Sequence, residues 1–260
     1  IARALTGWKN LPFVFSDDET PIDSYFDPEN HDTGIKQLSH RFGNAQITNA
    51  GASEYKVVID IILQQDETAR AFCRELYRFF VFYEIDSDIE QNVIKPMASF
   101  LRSSNFEIAP VLRNLFESKH FYTMQVRGAM IKTPLEYVTK QLRPLGESSH
   151  IIFPTIRLRY ESAIRYDRWC NELNMNFDDL PTVAGWQAYY QAPNFYRSWI
   201  STSTIQRRYN LVLTFMTPLY HVNNFRLPVN WRDFLASLSN PYSVDDVIKD
   251  VIVTFLPRAI

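Results

Sequence analysis

The sequence predicts a mainly α fold: an irregular multi-helix domain with a small β-hairpin or loop insertion near residues 10–50. Apolar residues recur at helical spacing from residue 53 onward. Only 7 glycines occur in the chain, whereas average usage would give roughly 18, which argues against a turn-rich all-β protein. We expect one mainly helical domain over residues 1–260, forming a fragment of a longer chain.

The first quarter of the chain combines turn signals with a first helical stripe. Residues 10–50 hold Pro, Gly, Asp and Asn around short apolar pieces, which is typical of a loop with one or two small strands. One helix is then predicted by an apolar stripe made of Val57, Val58, Ile61 and Ile62.

A longer amphipathic helix follows, with Asp66 as its expected N-cap. Its predicted apolar stripe consists of Ala69, Phe72, Cys73, Leu76, Phe80 and Tyr83. Ser87 and Glu90 then have the spacing of a capping box, and Pro96 must kink or restart the helix that they begin.

Start signals mark the later helices. Pro110 lies in the first turn of a predicted helix whose apolar stripe runs to Phe116. Thr133, Pro134 and Glu136 combine an N-cap, a proline at the first helical position and a capping-box acid. Further helices are expected over residues 154–174 and 195–217 and after Ser243, for a total of roughly seven to nine. Residues 176–200 form a second irregular stretch, an aromatic-rich loop.

Composition excludes several classes of function. The net charge of −2 gives no general positive field for nucleic acid. No run of about 18 apolar residues occurs, so no transmembrane helix is predicted. The two cysteines, Cys73 and Cys170, are too few and too far apart for a zinc site. Nucleotide-binding glycine motifs and nucleophile elbows are absent, and we expect neither a metal nor a cofactor.

Three ordered groups of segments resemble a known family. They are residues 2–8 (ARALTGW) with 26–36, residues 69–81 (ARAFCRELYRFFV) with 131–138, and residues 183–186 with 199–208. Together they resemble the C-terminal part of a bacterial family of unknown function, DUF1800.

This resemblance implies a mostly helical bacterial protein that is usually exported. It also implies an extracytoplasmic location, in the periplasm, in the cell envelope or outside the cell. A second exported protein of sulfatase-like type is often encoded beside such proteins and is a candidate partner. The resemblance implies no reaction.

The strongest candidates for acid–base chemistry are His31 and Asp32, which share a polar loop with further carboxylates. A loop histidine beside carboxylates is typical of a general base, but Asp32 also has the position of a turn residue before Gly34. Arg207 is a further weak catalytic candidate. If His31 is functional rather than architectural, replacing it by Ala should leave folding intact.

A dense aromatic group lies in the second irregular stretch. Flat aromatic faces beside Asn and Gln suit sugar rings, which present C–H groups and hydroxyls together. Large side chains that anchor a glycine-poor loop to the helices are the alternative. The candidate binding residues are Trp186, Tyr189, Tyr190, Tyr196 and Trp199.

Two functions remain open at this point. The first is a helical binding or scaffold module for a glycan or a partner protein in the cell envelope. The second is a hydrolase-type enzyme that acts on an extracytoplasmic polymer with a His31/Asp32 site.

Overall fold

The fold is mainly α, as the sequence predicts. The computed structural model describes residues 1–10, 24–142, 155–176, 179–216, 221–222, 225–226 and 231–256. Its helices are α1 (Glu54–Leu63), α2 (Asp66–Phe80), α3 (Ser87–Ile89), α4 (Lys95–Ser103), α5 (Ile108–Glu117), α6 (Pro134–Leu142), α7 (Ile156–Glu172), α8 (Gln187–Tyr190), α9 (Thr202–Met216), α10 (Trp231–Ala236) and α11 (Val244–Phe255).

Short 3₁₀ helices and small sheets complete the described structure. The 3₁₀ helices are Ala2–Leu5, Pro28–Asn30, His40–Phe42, Gly51–Ser53, His120–Tyr122 and Phe195–Trp199. Three antiparallel pairs of strands are formed by β1 (Trp8–Asn10) with β2 (Ser24–Phe26), β3 (Lys36–Gln37) with β4 (Gln46–Ile47), and β5 (His221–Val222) with β6 (Phe225–Arg226). The first two pairs are the β excursion expected near residues 10–50.

The chain divides into two compact units. Unit 1 comprises residues 1–76 and 85–113, and unit 2 comprises residues 77–84 and 114–260. The single domain expected from the sequence stays a prediction.

Unit 1 has a small apolar core beneath its β excursion. This core consists of Ala4, Leu38, Ile47 and Val58. Gly7 brings the adjoining segments close together, because its φ of +89° favours glycine and a Cβ there would lie 2.8 Å from the carbonyl oxygen of Asp27. The amide of Asp27 in turn donates to the carbonyl of Gly7 at 2.7 Å. The β excursion is therefore joined closely to the N-terminal 3₁₀ helix.

Unit 2 has a larger core, built on α6, α7, α9 and the aromatic-rich stretch. Its buried members are Val138, Trp169, Cys170, Leu173, Met175, Ala188, Tyr196, Trp199 and Leu211. Helix α6 begins with the predicted capping box: the amide of Glu136 donates to Oγ1 of Thr133 at 3.2 Å, and the amide of Thr133 donates to the Glu136 carboxylate at 2.9 Å.

The predicted stripe of α2 is rotated in the structure. Ala69, Cys73 and Tyr77 are fully buried, whereas Phe72, which we placed on the buried stripe, is about half exposed. Phe72 lies 100° from Cys73 around the helix, so a modest rotation moves it to the edge of the buried face.

Helix α4 restarts with Pro96 in its first turn, after a π turn over Glu90–Ile94.

The capping box expected at Ser87 and Glu90 does not form. Asp86 is the N-cap of α3 and accepts a hydrogen bond from the amide of Ile89 at 2.8 Å. Glu90 instead binds Arg74, whose Nε and Nη2 donate to its two carboxylate oxygens at 2.9 and 2.7 Å. The Glu90 carboxylate is thus engaged by a stronger, charged donor.

Candidate functional site

His31 lies in a buried polar network in unit 1. Its side chain is 2% exposed, and its ring Nε2 lies 3.0 Å from Oε1 of Glu54. Its Nδ1 lies 2.9 Å from the carbonyl oxygen of Thr6, which can only accept a hydrogen bond. The 3₁₀ helix Pro28–Asn30, begun by the side chain of Asp27, places the ring at this point. Both nitrogens of His31 therefore have partners inside the protein.

Glu54 is the centre of the network. It is fully buried at the start of α1, and its Oε1 accepts from Nζ of Lys36 at 2.7 Å and from the amide of Ala50 at 3.3 Å. Lys36 also donates to the carbonyl of Asp32. Burial raises the pKa of Glu54, but the hydrogen bonds from Lys36 and His31 together outweigh it and leave that pKa below its ordinary value.

Asp32 is held beside this network by Arg3. The Nε and Nη2 of Arg3 donate to the two carboxylate oxygens of Asp32 at 2.6 and 3.0 Å, and the amide of Gly34 donates at 2.9 Å. The Arg3 guanidinium holds the pKa of Asp32 at about 2. Asp32 is thus an ion-pair partner, and the turn at Gly34 expected from the sequence is present.

The network joins segments rather than opening to solvent. Oγ1 of Thr6 donates to the carbonyl of Arg3 and accepts from the amide of Asp32, at 2.8 and 2.9 Å. The bonds of Glu54 tie α1 to the β excursion. Among the described residues, no group of three His, Cys, Asp or Glu side chains could hold a metal ion.

The aromatic candidates in unit 2 separate into buried and exposed members. Tyr196 and Trp199 are 5% and 3% exposed and belong to the core of unit 2. Tyr189 and Tyr190 are exposed on α8, and Trp186 is half-buried at its N-cap. Of the five candidates, only these last three present aromatic surface to a ligand.

Phe79 joins the exposed members, although it lies outside the aromatic-rich stretch that predicts the binding residues. Its side chain is 55% exposed, and its ring lies 5.8 Å from that of Tyr189. Trp186 packs edge-on against Tyr189 at 6.3 Å. The exposed Phe79, Tyr189 and Tyr190, together with the half-buried Trp186, are called the aromatic patch below. The sequence offers one signal for Phe79: it is an aromatic residue outside the predicted apolar stripe of α2, so its side chain is expected away from the buried face.

Arg207 lines a separate surface pocket between α7 and α9. The pocket has a volume of about 120 Å³ and is lined by Trp169, Glu172, Leu173, Arg207, Asn210, Leu211 and Thr214. Nη1 of Arg207 lies 3.2 Å from the Glu172 carboxylate, and both side chains are about half exposed. The neighbouring Arg208 is buried, stacks over Tyr137 and donates to the carbonyl of Lys132 at 3.0 Å.

His31 and Asp32 belong to unit 1, whereas Arg207 and the aromatic candidates belong to unit 2.

Within the described residues, no helix has the length and apolar character needed to cross a membrane.

Comparison with known proteins gives one result. No curated protein and no solved structure matches the chain. A family described as "Protein of unknown function (DUF1800)" matches residues 1–260. The chain therefore belongs to this bacterial family of unknown function.

Proposed function

We propose that this chain is a helical, non-catalytic binding module of an exported protein, and that its aromatic patch binds glycan outside the cytoplasm. The observation that carries the proposal is the patch itself. Phe79 is 55% exposed, and its ring and that of Trp186 both lie against Tyr189. Tyr190, the next residue of α8, is 42% exposed. Large exposed aromatic surface on a folded domain is typical of a binding site.

The chemistry of the patch suits sugar rings. Aromatic faces pack against the C–H groups of a pyranose, and phenol hydroxyls bond its hydroxyls. The hydroxyl of Tyr190 already lies 3.2 Å from Oγ1 of Thr182, so this part of the patch is polar as well as aromatic. Tyr189 contacts the ring of the buried Trp199 at 6.2 Å, which fixes the patch to the core of unit 2.

The contacts of His31 and Asp32 favour binding over hydrolysis. A general base must reach a substrate or a water molecule, but both ring nitrogens of His31 have internal partners and its side chain is 2% exposed. The Asp32 carboxylate is engaged by Arg3 and Gly34. These residues support an architectural role in unit 1.

The test follows the indole N–H signals of isotope-labelled protein during titration with soluble oligosaccharides. The chain has 5 tryptophans, and Trp186 reports on the patch. We expect a saturable shift of the Trp186 signal, weakened about threefold to tenfold in F79A and in Y190A. Y242A removes an almost fully exposed tyrosine outside the patch and serves as the control.

Three outcomes would contradict the proposal. One is an absence of any Trp186 shift at millimolar oligosaccharide. Another is cleavage of the titrated oligosaccharides into shorter sugars, which would support the hydrolase alternative. The third is loss of complex formation with the neighbouring sulfatase-like protein in F79A and Y190A, without any glycan effect, which would make the patch a protein interface.

Location is tested separately. The extracytoplasmic location is supported by the resemblance of the chain to an exported family. Fractionation of the bacterium that encodes the protein should place it in the periplasmic, envelope or culture fraction, and recovery from the cytoplasmic fraction would contradict this part of the proposal.

A further inference from the structure

The pocket between α7 and α9 combines apolar and polar walls. Trp169, Leu173 and Leu211 belong to the core of unit 2 and supply the apolar part. The charged and polar groups on the same lining come from Arg207, Glu172, Asn210 and Thr214. Trp169 is 9% exposed, so it contributes only a small part of its ring, and most of the accessible lining is polar. Converging polar groups in a concave surface are a common feature of small-ligand sites.

The ion pair at this pocket defines what the ligand must offer. Arg207 can only donate and Glu172, when ionised, can only accept. Nη1 of Arg207 and Oε2 of Glu172 are 3.2 Å apart, and both side chains are about half exposed. Two adjacent hydroxyls of one ligand satisfy such a pair, because one oxygen accepts from Arg207 while the other hydroxyl donates to Glu172.

The remaining polar groups extend this pattern. Oδ1 of Asn210 accepts from Gln206 at 3.2 Å, which orients the amide, and the hydroxyl of Thr214 donates to the carbonyl of Asn210 at 2.9 Å. The Thr214 oxygen thus retains acceptor capacity toward the pocket. The polar lining mixes donors and acceptors and carries one charge of each sign.

We propose that this pocket is a binding site for a single neutral pyranose, with vicinal hydroxyls on Arg207 and Glu172. A neutral diol leaves the ion pair intact, whereas a zwitterionic amino acid would have to separate it. The inference rests on the proposed glycan-binding function for its ligand class, but it concerns a different surface from the aromatic patch.

The pocket is tested with simple methyl pyranosides of glucose, galactose and mannose, added to the full chain. Trp169 reports on the pocket and Trp186 on the patch, so the two indole N–H signals separate the sites. We expect a saturable shift of the Trp169 signal with a Kd of about 1 mM for at least one pyranoside. R207A and N210A should each weaken this binding about tenfold.

Y209A is the matched control on α9. Tyr209 is 60% exposed and does not line the pocket, so its removal should leave the Trp169 shift unchanged. Unchanged melting temperatures would establish that R207A and N210A remain folded. R207K, which keeps the charge but not the planar donor set, should bind more weakly than the unaltered chain.

The outcomes distinguish the two sites. No Trp169 shift at about 10 mM pyranoside, or full binding by R207A, would overturn the pocket inference and leave the aromatic patch to be judged by its own signal. A Trp169 shift with leucine as the amino acid probe but with no pyranoside would overturn it in favour of a zwitterion site. Loss of the Trp186 response alone would contradict the proposed function of the patch and not the pocket.

Discussion

Nε2 of His31 lies 3.0 Å from Oε1 of Glu54, and both side chains are almost completely excluded from solvent. The same oxygen accepts from Lys36 at 2.7 Å. The other ring nitrogen of His31 lies against a backbone carbonyl, that of Thr6. The buried carboxylate of Glu54, in the first turn of α1, therefore binds both His31 and Lys36 of the β excursion.

Replacing Glu54 by Gln should strongly destabilise the protein. The amide keeps the size of the side chain but removes the negative charge, which leaves the buried ammonium of Lys36 without its counter-ion. Removal of one partner of a buried pair costs about 3–5 kcal/mol in the free energy of unfolding. Urea unfolding measures this loss, and D60N on the exposed side of α1 should change stability by less than about 0.5 kcal/mol. An E54Q value as small as that of D60N would contradict the network.

Replacing His31 by Ala should destabilise the protein too, contrary to the expectation that the sequence gives for a functional histidine. The substitution removes the ring bonds to Glu54 and Thr6 and leaves a buried carbonyl and a carboxylate short of a donor. We expect a loss of about 2–4 kcal/mol. H40A removes an exposed histidine from the same region and is the control. If thermal unfolding of H31A matched that of H40A, His31 would again be a candidate for catalysis.

Stability should fall in acid because of the carboxylates in this region. The pKa of Asp32 is about 2 in the folded protein, against an ordinary 3.8, and the pKa of Glu54 is also lowered. The unfolded chain therefore takes up protons first as the pH falls, so the stabilisation is complete above about pH 5 and is lost toward about pH 2. Urea midpoints measured across this range should decline less steeply in E54Q and in D32N. A slope equal to that of the unaltered chain would show that neither carboxylate contributes.

Short-range features could be predicted from the sequence because all their parts lie together. The capping box of α6 needs only Thr133, Pro134 and Glu136, and each of its two hydrogen bonds spans three residues. Cys73 could be placed on a buried face from helical periodicity alone, and it is fully buried. The β excursion was indicated by its turn residues, and two strand pairs form there.

The candidate site could not be predicted to the same degree, because it depends on partners far apart in the chain. Glu54 resembles an ordinary acid in the first turn of a helix, but its partners His31 and Lys36 lie 23 and 18 residues away. Periodicity likewise cannot fix the rotation of α2 well enough to place Phe72, which is on the predicted stripe but is about half exposed. The burial of Tyr196 and Trp199 is decided by tertiary packing, since both belong to a short 3₁₀ helix without a helical stripe.

The two cysteines should be unreactive in the folded protein. Burial raises the pKa of both Cys73 and Cys170 to about 11, so almost no thiolate is present at about pH 8. A disulfide reagent that releases a coloured thiol should detect no group in the native chain. It should detect both after unfolding in urea. Rapid modification of either cysteine without denaturant would mean that its surroundings open readily.

The start of α3 offers a direct comparison between the predicted cap and the observed one. Asp86 accepts from the amide of Ile89, so D86A should cost about 1 kcal/mol of unfolding free energy. S87A should cost less than about 0.5 kcal/mol, because Ser87 is the first helical residue and its side chain is exposed. The expected box would also need the Glu90 carboxylate, which both donors of Arg74 already occupy. If denaturant unfolding showed a larger loss for S87A than for D86A, the cap would be at Ser87 and Glu90 would have to leave Arg74 to complete it.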